Sequence, residues 1–175
     1  MRIYLPLADI ELYNQQLYSR FAWAGNDDFC QLWGIDSQDE EEAEDMAMTM
    51  ASMSCLENSG DAYPGRIVAA LDADGSEIGA TSDLGVFEVK TGFSWQRLVS
   101  LHLDSPEDLE LCQQVRAALP AEQAAFWCRG NYSGEENLET PGWELWQKLV
   151  AEPLSWYDRS ELEYLRRLLA ANAGS

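Results

Sequence analysis

Basic residues are scarce in this sequence. Lysine and arginine total 11 against 31 aspartates and glutamates, so the formal net charge is −20 at pH 7. No basic residue lies between Arg20 and Arg66. A field of this sign repels the phosphates of nucleic acids and the anionic lipids of a membrane's inner face. We therefore expect no direct binding to nucleic acid or to a membrane. The partners that this charge would attract are cations and basic proteins.

The sequence contains one histidine and no glycine-rich motif of the kind that binds phosphate. His102 is the only histidine, which excludes a zinc site built on several histidines. The patterns GxGxxG and GxxxxGK(S/T), which place backbone N–H groups around phosphates, do not occur. The sequence therefore predicts no bound cofactor.

Long apolar runs and paired cysteine motifs are missing as well. The opening MRIYLPLA lacks the apolar stretch of about 7–15 residues that marks a signal peptide. No run approaches the roughly 20 apolar residues of a membrane span. The four cysteines show no CxxC spacing, and although an even number would permit two disulfides, a domain of this size does not need them. We expect reduced thiols in the core of a soluble, cytoplasmic protein, and the sequence leaves its oligomeric state open.

Apolar residues are plentiful and follow the periods of strands and helices. The chain has 175 residues, 46% of them hydrophobic, which suits one α+β domain over residues 1–175. Alternation or buried runs predict strands over residues 2–7, 66–72, 86–90, 97–103 and 154–157, with a further candidate over 124–129. Residues 21–33 and 78–85 look like loop or turn, and residues 131–139 form a polar loop. We predict a mixed or mostly antiparallel sheet of about four to six strands covered by helices.

The most unusual stretch is the acidic segment, residues 36–45, which contains seven carboxylates. Ser37 and Glu40 have the spacing of a capping box, so we expect a helix to begin at Gln38. Carboxylates in its first turn are favoured by the helix dipole. The following residues, 46–55, are mostly Met and Ala and predict a buried half of the same helix. Capping and the dipole require only two or three acids, so the surplus points to function.

Two patterns suggest a cation site and a catalytic triad, but neither has the ligands or the spacing that such a site requires. The pairs Glu40/Glu44 and Glu41/Asp45 could each share a cation, but two carboxylates fall short of the six to eight oxygens that calcium prefers, so we predict no metal site. Ser100, His102 and Asp104 lie on one face of one strand. Alternate residues of a strand are roughly 6.6 Å apart, which argues against a catalytic triad. We expect His102 to be a strand histidine that is hydrogen-bonded to a neighbour.

Four stretches carry a resemblance to a known family. In chain order they are MRIYLPLA, EEEAEDMAM, RLVSLHLDSPED and LSWYDRSELEYL, and the most distinctive part is residues 154–158. Together they resemble a family of acidic actinobacterial proteins of unknown function. The resemblance implies a compartment and a fold class, and it implies no reaction and no catalytic residues.

These observations favour a non-enzymatic binding or regulatory protein that engages a basic protein partner through the acidic segment. The predicted partner-binding residues are its seven carboxylates, Asp36, Asp39, Glu40, Glu41, Glu42, Glu44 and Asp45. One alternative is an enzyme with a cleft beside the sheet, of unknown reaction, with these residues at its mouth: His102, Trp156, Tyr157 and Asp158. Another is that the charge serves only solubility. Imitation of duplex DNA would require acids near Asp27, Glu107 and Glu135 to extend the segment, because it spans only about 15 Å of helix.

Overall fold

The computed structural model describes residues 1–18, 20–58, 60, 62–81, 83, 85–90, 92–129 and 139–173. The helices in these residues are α1 (Asp27–Trp33), α2 (Glu40–Ser54), α3 (Leu109–Ala118), α4 (Ala121–Cys128), α5 (Trp143–Ala151) and α6 (Leu162–Ala173). The strands are β1 (Arg2–Pro6), β2 (Gln16–Leu17), β3 (Arg20–Trp23), β4 (Ile67–Asp72), β5 (Ile78–Ala80), β6 (Val86–Val89), β7 (Phe93–Ser94), β8 (Leu98–Leu103) and β9 (Ser155–Asp158). Most of the predicted loop 131–139 lies outside the described residues. None of the described helices is both long and apolar enough to span a membrane.

Seven of the described strands form one antiparallel sheet. Its order is β5-β6-β3-β1-β4-β8-β9, and β2 pairs separately with β7. All neighbouring strands of the sheet run antiparallel. β1 is central, where Tyr4 lies between Trp23 of β3 and Ala70 of β4. The predicted α+β class is confirmed, and the described sheet has more strands than the predicted four to six.

Two extra strands and two helices correct the sequence-based predictions. α1 (Asp27–Trp33) begins after the N-cap Asn26, inside the segment 21–33 that we interpreted as loop. β3 and β5 fall in segments that we interpreted as loop and turn, because both are short and only partly alternate. Most of the candidate strand 124–129 belongs instead to α4, which ends at Cys128 with Arg129 as its C-cap. α4 begins after Pro120, and its Ala124, Trp127 and Cys128 are buried at helical spacing.

Apolar side chains on the two faces of the sheet form two cores. One core joins Tyr4, Trp23 and Val68 to buried residues of α2, α3, α4 and α5. The other joins Ile3 and Leu101 to buried leucines of α6. Alternate residues of a strand point to opposite faces, so the sheet presents apolar side chains on both. Helices α2 to α5 cover one face and α6 covers the other. All four cysteines are buried free thiols.

α2 begins two residues later than predicted. Its N-cap is Asp39, whose side chain accepts a hydrogen bond from the backbone N–H of Glu42 at 3.1 Å. Ser37 lies before the helix, where Asp36 accepts from the N–H of Gln38 at 3.0 Å. Aspartate caps as well as serine, so the predicted capping box gives way to this arrangement. The later turns of α2 are buried as predicted, at Ala47, Met50, Ala51 and Met53.

A buried ion pair connects the sheet to α5. Arg66 and Asp104 are almost fully buried, and Arg66 Nη2 lies 2.6 Å from Asp104 Oδ1. The Arg66 guanidinium also donates to the carbonyl oxygens of Leu149 and Glu152, each at 3.0 Å. These carbonyls lie at the C-terminal end of α5, where the helix dipole favours a cation. Arg66 therefore holds this end of α5 against the start of β4.

Candidate functional site

The predicted partner-binding carboxylates all lie at the exposed start of α2 or in the turn before it. Each of the seven residues is solvent-exposed. Three of them have structural hydrogen bonds: Asp36 and Asp39 bond to backbone N–H groups, and Glu44 accepts from the Tyr4 hydroxyl at 3.2 Å. In the described part of the chain, the other four form neither an ion pair nor a hydrogen bond: Glu40, Glu41, Glu42 and Asp45. Folding thus uses fewer than half of these charges.

A groove runs between α2 and the C-terminal end of α5. Its first part has a volume of about 540 Å³ and is lined by Asp39, Glu41, Glu42, Asp45, Met46, Thr49 and Val150. Its second part, about 370 Å³, is lined by residues 150–154 together with Asp45, Met48, Thr49, Ser52 and Arg66. The two parts share Asp45, Thr49 and Val150, so they adjoin along α2. We call the combined feature the acidic groove.

The acidic groove combines carboxylates with apolar side chains. Met46 and Val150 are partly buried and pack against the core that lies between α2 and the sheet. Leu154 is packed in the same way at the far end. A lysine or arginine side chain has an apolar stem and a charged end, so it can contact both kinds of surface at once. The only arginine in the lining, Arg66, is already neutralised by Asp104.

Glu40 and Glu44 belong to a different surface. They line a separate cavity of about 230 Å³ with Met1, Arg2 and Asp27. Arg2, which is paired with Asp72, lies on this side, whereas no cation occurs among the described residues that line the first part of the acidic groove. The structure therefore assigns the two i,i+4 pairs, Glu40/Glu44 and Glu41/Asp45, to two different surfaces. Of the acids considered as extensions, Asp27 joins the Glu40 side and Glu135 lies outside the described residues.

The groove includes residues that the sequence analysis missed. Met46 was assigned to the buried stripe of α2, but it is only partly buried and lines the groove. Val150 and Leu154 lie about 100 residues after α2 in the chain, and Leu154 is the first residue of a predicted strand. Their apolar character was visible in the sequence, but their position beside α2 depends on how α5 packs.

The four residues of the alternative cleft are only partly brought together. His102 and Trp156 are cross-strand partners on β8 and β9. Tyr157 packs with the core on the opposite face of the sheet. Asp158 accepts from the backbone N–H of Ser160 at 2.9 Å and caps the turn before α6. None of these four residues is among those that line the cavities described above.

Ser100 and His102 are hydrogen-bonded, although their spacing argued against contact. The distance from Ser100 Oγ to His102 Nε2 is 2.9 Å, which is a normal hydrogen-bond length between two side chains on one face of β8. The expectation of a histidine bonded to a neighbour is confirmed. Asp104 does not join this pair, since its carboxylate is engaged with Arg66. Among the described residues, no three His, Cys, Asp or Glu side chains converge in a way that could hold a metal ion.

We expect His102 to titrate far below an ordinary histidine. Burial lowers its pKa to about 4, and the positive charge of Arg2 acts in the same direction. Because this pKa lies below the unfolded value of about 6.5, the unfolded chain binds more protons between these two pH values. Stability should therefore fall as the pH drops from about 6.5 to 4. An NMR titration of this single imidazole measures the pKa directly.

Ser100→Ala is the matched control for that titration. It removes the hydrogen bond and leaves the burial, so the pKa of His102 should stay well below 6.5. A pKa near 6.5 in the unaltered protein would contradict the burial of His102.

Comparisons with known proteins place the chain in a family. Searches of the curated proteins and of the solved structures found no match. A family model, described as a family of unknown function, matches residues 1–165. The matched span contains both walls of the acidic groove. The chain belongs to this family, DUF6912.

Proposed function

We propose that the protein binds a basic segment of a partner protein in the acidic groove, without catalysing a reaction. The observation that carries this proposal is the position of Glu41, Glu42 and Asp45, which form no ion pair in the described chain and stand beside Met46 and Val150. An isolated patch of carboxylates would attract any cation. Carboxylates beside apolar side chains favour lysine or arginine side chains whose stems can also be buried.

The free protein bears a small cost for this arrangement. Glu41 and Asp45 are like charges at i and i+4 on α2, which costs a few tenths of a kcal/mol. A basic segment would remove this repulsion on binding. The net charge of −20 would also speed the encounter with such a partner, at a rate that falls as salt is added.

A pulldown from the source cytosol with two matched variants tests the proposal. Glu41→Gln/Asp45→Asn removes two charges from the groove wall, and Glu40→Gln/Glu44→Gln removes two charges from the other side of the same turns. We expect the first variant to lose the partner and the second to keep it. Recovery should also fall with added salt, because the screening length shrinks from about 10 Å at 0.1 M to about 3 Å at 1 M.

Two results would reject the proposal. If both variants lose the partner equally, net charge and not the groove explains binding. If neutralising either pair changes no interaction, the charge serves solubility alone.

The proposal also includes the domain organisation of the protein and its compartment. We infer that residues 1–175 act as one acidic domain in the cytoplasm. The four buried free thiols and the single family match over residues 1–165 support this. The actinobacterial origin of the family remains part of the proposal and rests on the sequence resemblance.

A further inference from the structure

A second cavity lies at the opposite end of α2 from the acidic segment. It has a volume of about 270 Å³, close to the lower end of the roughly 300–1,000 Å³ that ligand pockets occupy. Apolar and aromatic side chains form much of its lining, among them Leu7, Ala8, Phe21 and Trp23. The charged residues in the lining are Glu11, Arg20 and Glu57. We call it the Glu57 cavity.

The one arginine of this lining is already occupied. Arg20 forms an ion pair with Glu11 and donates to the backbone carbonyls of Pro6 and Tyr18 at 2.9 and 3.2 Å. Its positive charge is therefore balanced within the protein. An anionic ligand would have to compete with Glu11 for it.

The negative charge of Glu57 is less completely neutralised than that of Glu11. Its Oε2 receives one long bond from Arg129, at 3.3 Å, and its Oε1 is buried with no partner at hydrogen-bond distance among the described residues, although the nearby Ser54 side chain interacts with the carboxylate and acts to lower its pKa. Arg129 also lies over the ring of Phe21, 4.7 Å from the ring centroid, so its charge is shared. Burial raises the pKa of Glu57 despite the attraction of Arg129. A carboxylate in this state gains from a further donor or positive charge.

We propose that the Glu57 cavity binds a small molecule that carries a protonated amine on an apolar or aromatic body. The ammonium group would contact the Glu57 carboxylate, and the body would pack against Pro6, Ala8 and Phe21, which are the accessible apolar residues of the lining. The size of the cavity suits a molecule of about one ring. This site is separate from the acidic groove and does not depend on the partner proposed for it.

Benzylamine is a suitable probe, with benzyl alcohol and benzoate as matched neutral and anionic analogues. Binding can be followed by NMR at the indole N–H of Trp23, which donates to the carbonyl of Cys128 at 2.9 Å beside the cavity. We expect saturable binding of benzylamine, weaker binding of benzyl alcohol and none of benzoate. Equal binding of the three probes, or preferential binding of benzoate, would overturn the proposal.

Two variants separate specific binding from diffuse attraction to a protein of net charge −20. Glu57→Gln should weaken benzylamine binding at least about tenfold, because a charged hydrogen bond is lost. Ala8→Leu keeps every charge and fills the cavity, so it should abolish binding even if the first variant folds poorly. Glu41→Gln removes one charge from the acidic groove and should change nothing. Unchanged binding in Glu57→Gln or in Ala8→Leu would show that the amine is held elsewhere.

Discussion

Arg66→Met is expected to destabilise the protein by about 3–5 kcal/mol, because it leaves the carboxylate of Asp104 buried without its counter-charge. Among the described residues, the Asp104 carboxylate would keep only the backbone N–H of residue 66 and the thiol of Cys112, whose sulfur lies 3.2 Å from Oδ2. Burial, followed by the charge of Asp104, raises the pKa of Cys112 to about 12, so this thiol stays neutral and can donate. The loss is measured as the free energy of unfolding in urea.

Two controls assign this loss to the buried charge. Arg2→Met breaks the Arg2–Asp72 pair, whose side chains are 32% and 64% exposed, and should cost about 0–1 kcal/mol. Asp104→Asn added to Arg66→Met removes the stranded charge and should recover part of the stability. If Arg66→Met costs no more than Arg2→Met, the ion pair does not organise the fold as described.

Trp127→Ala is expected to cost about 3–5 kcal/mol, because it removes a large, fully buried side chain between α4 and α5. The Trp127 ring is fully buried and meets Trp143 and Trp146 edge to face, with centroids 5.1 and 4.9 Å away. The surrounding helices cannot collapse fully into the space that it leaves.

The adjacent Phe126 provides the matched control. It is 53% exposed, and Phe126→Ala should change stability by about 0.5 kcal/mol or less. Thermal or urea unfolding of both variants gives the comparison. Similar losses in the two variants would contradict the placement of α4 against α5.

The strands that the sequence predicted are those with a long, regular pattern. β1, β4 and β8 alternate or form continuous apolar runs, and their observed bounds lie within one residue of the predicted ones. β3 and β5 have four and three residues, which is too short for a period to be recognised. β3 pairs with β6 more than 60 residues away in the chain, whereas β5 forms a local hairpin with β6. Local pattern cannot reveal such strands.

The candidate site was predictable on one wall only. The surplus of carboxylates in residues 36–45 was visible because capping and the helix dipole account for so few of them. Which of them share a surface depends on the rotation of α2 about its axis and on the approach of α5. Helical spacing separates the pair Glu41/Asp45 from the pair Glu40/Glu44, but only the structure shows that the first pair faces α5. Likewise, the exposure of Trp156 and the burial of Tyr157 follow from the two faces of an edge strand.

Carbodiimide crosslinking in the native cell, followed by mass spectrometry, tests the central claim most directly, because it joins a carboxylate to a lysine that touches it. If a basic segment binds in the acidic groove, partner lysines should be crosslinked to Glu41, Glu42 and Asp45. Few crosslinks should form at Glu40 and Glu44. Crosslinks spread evenly over both groups, or concentrated on acids outside residues 36–45, would contradict it.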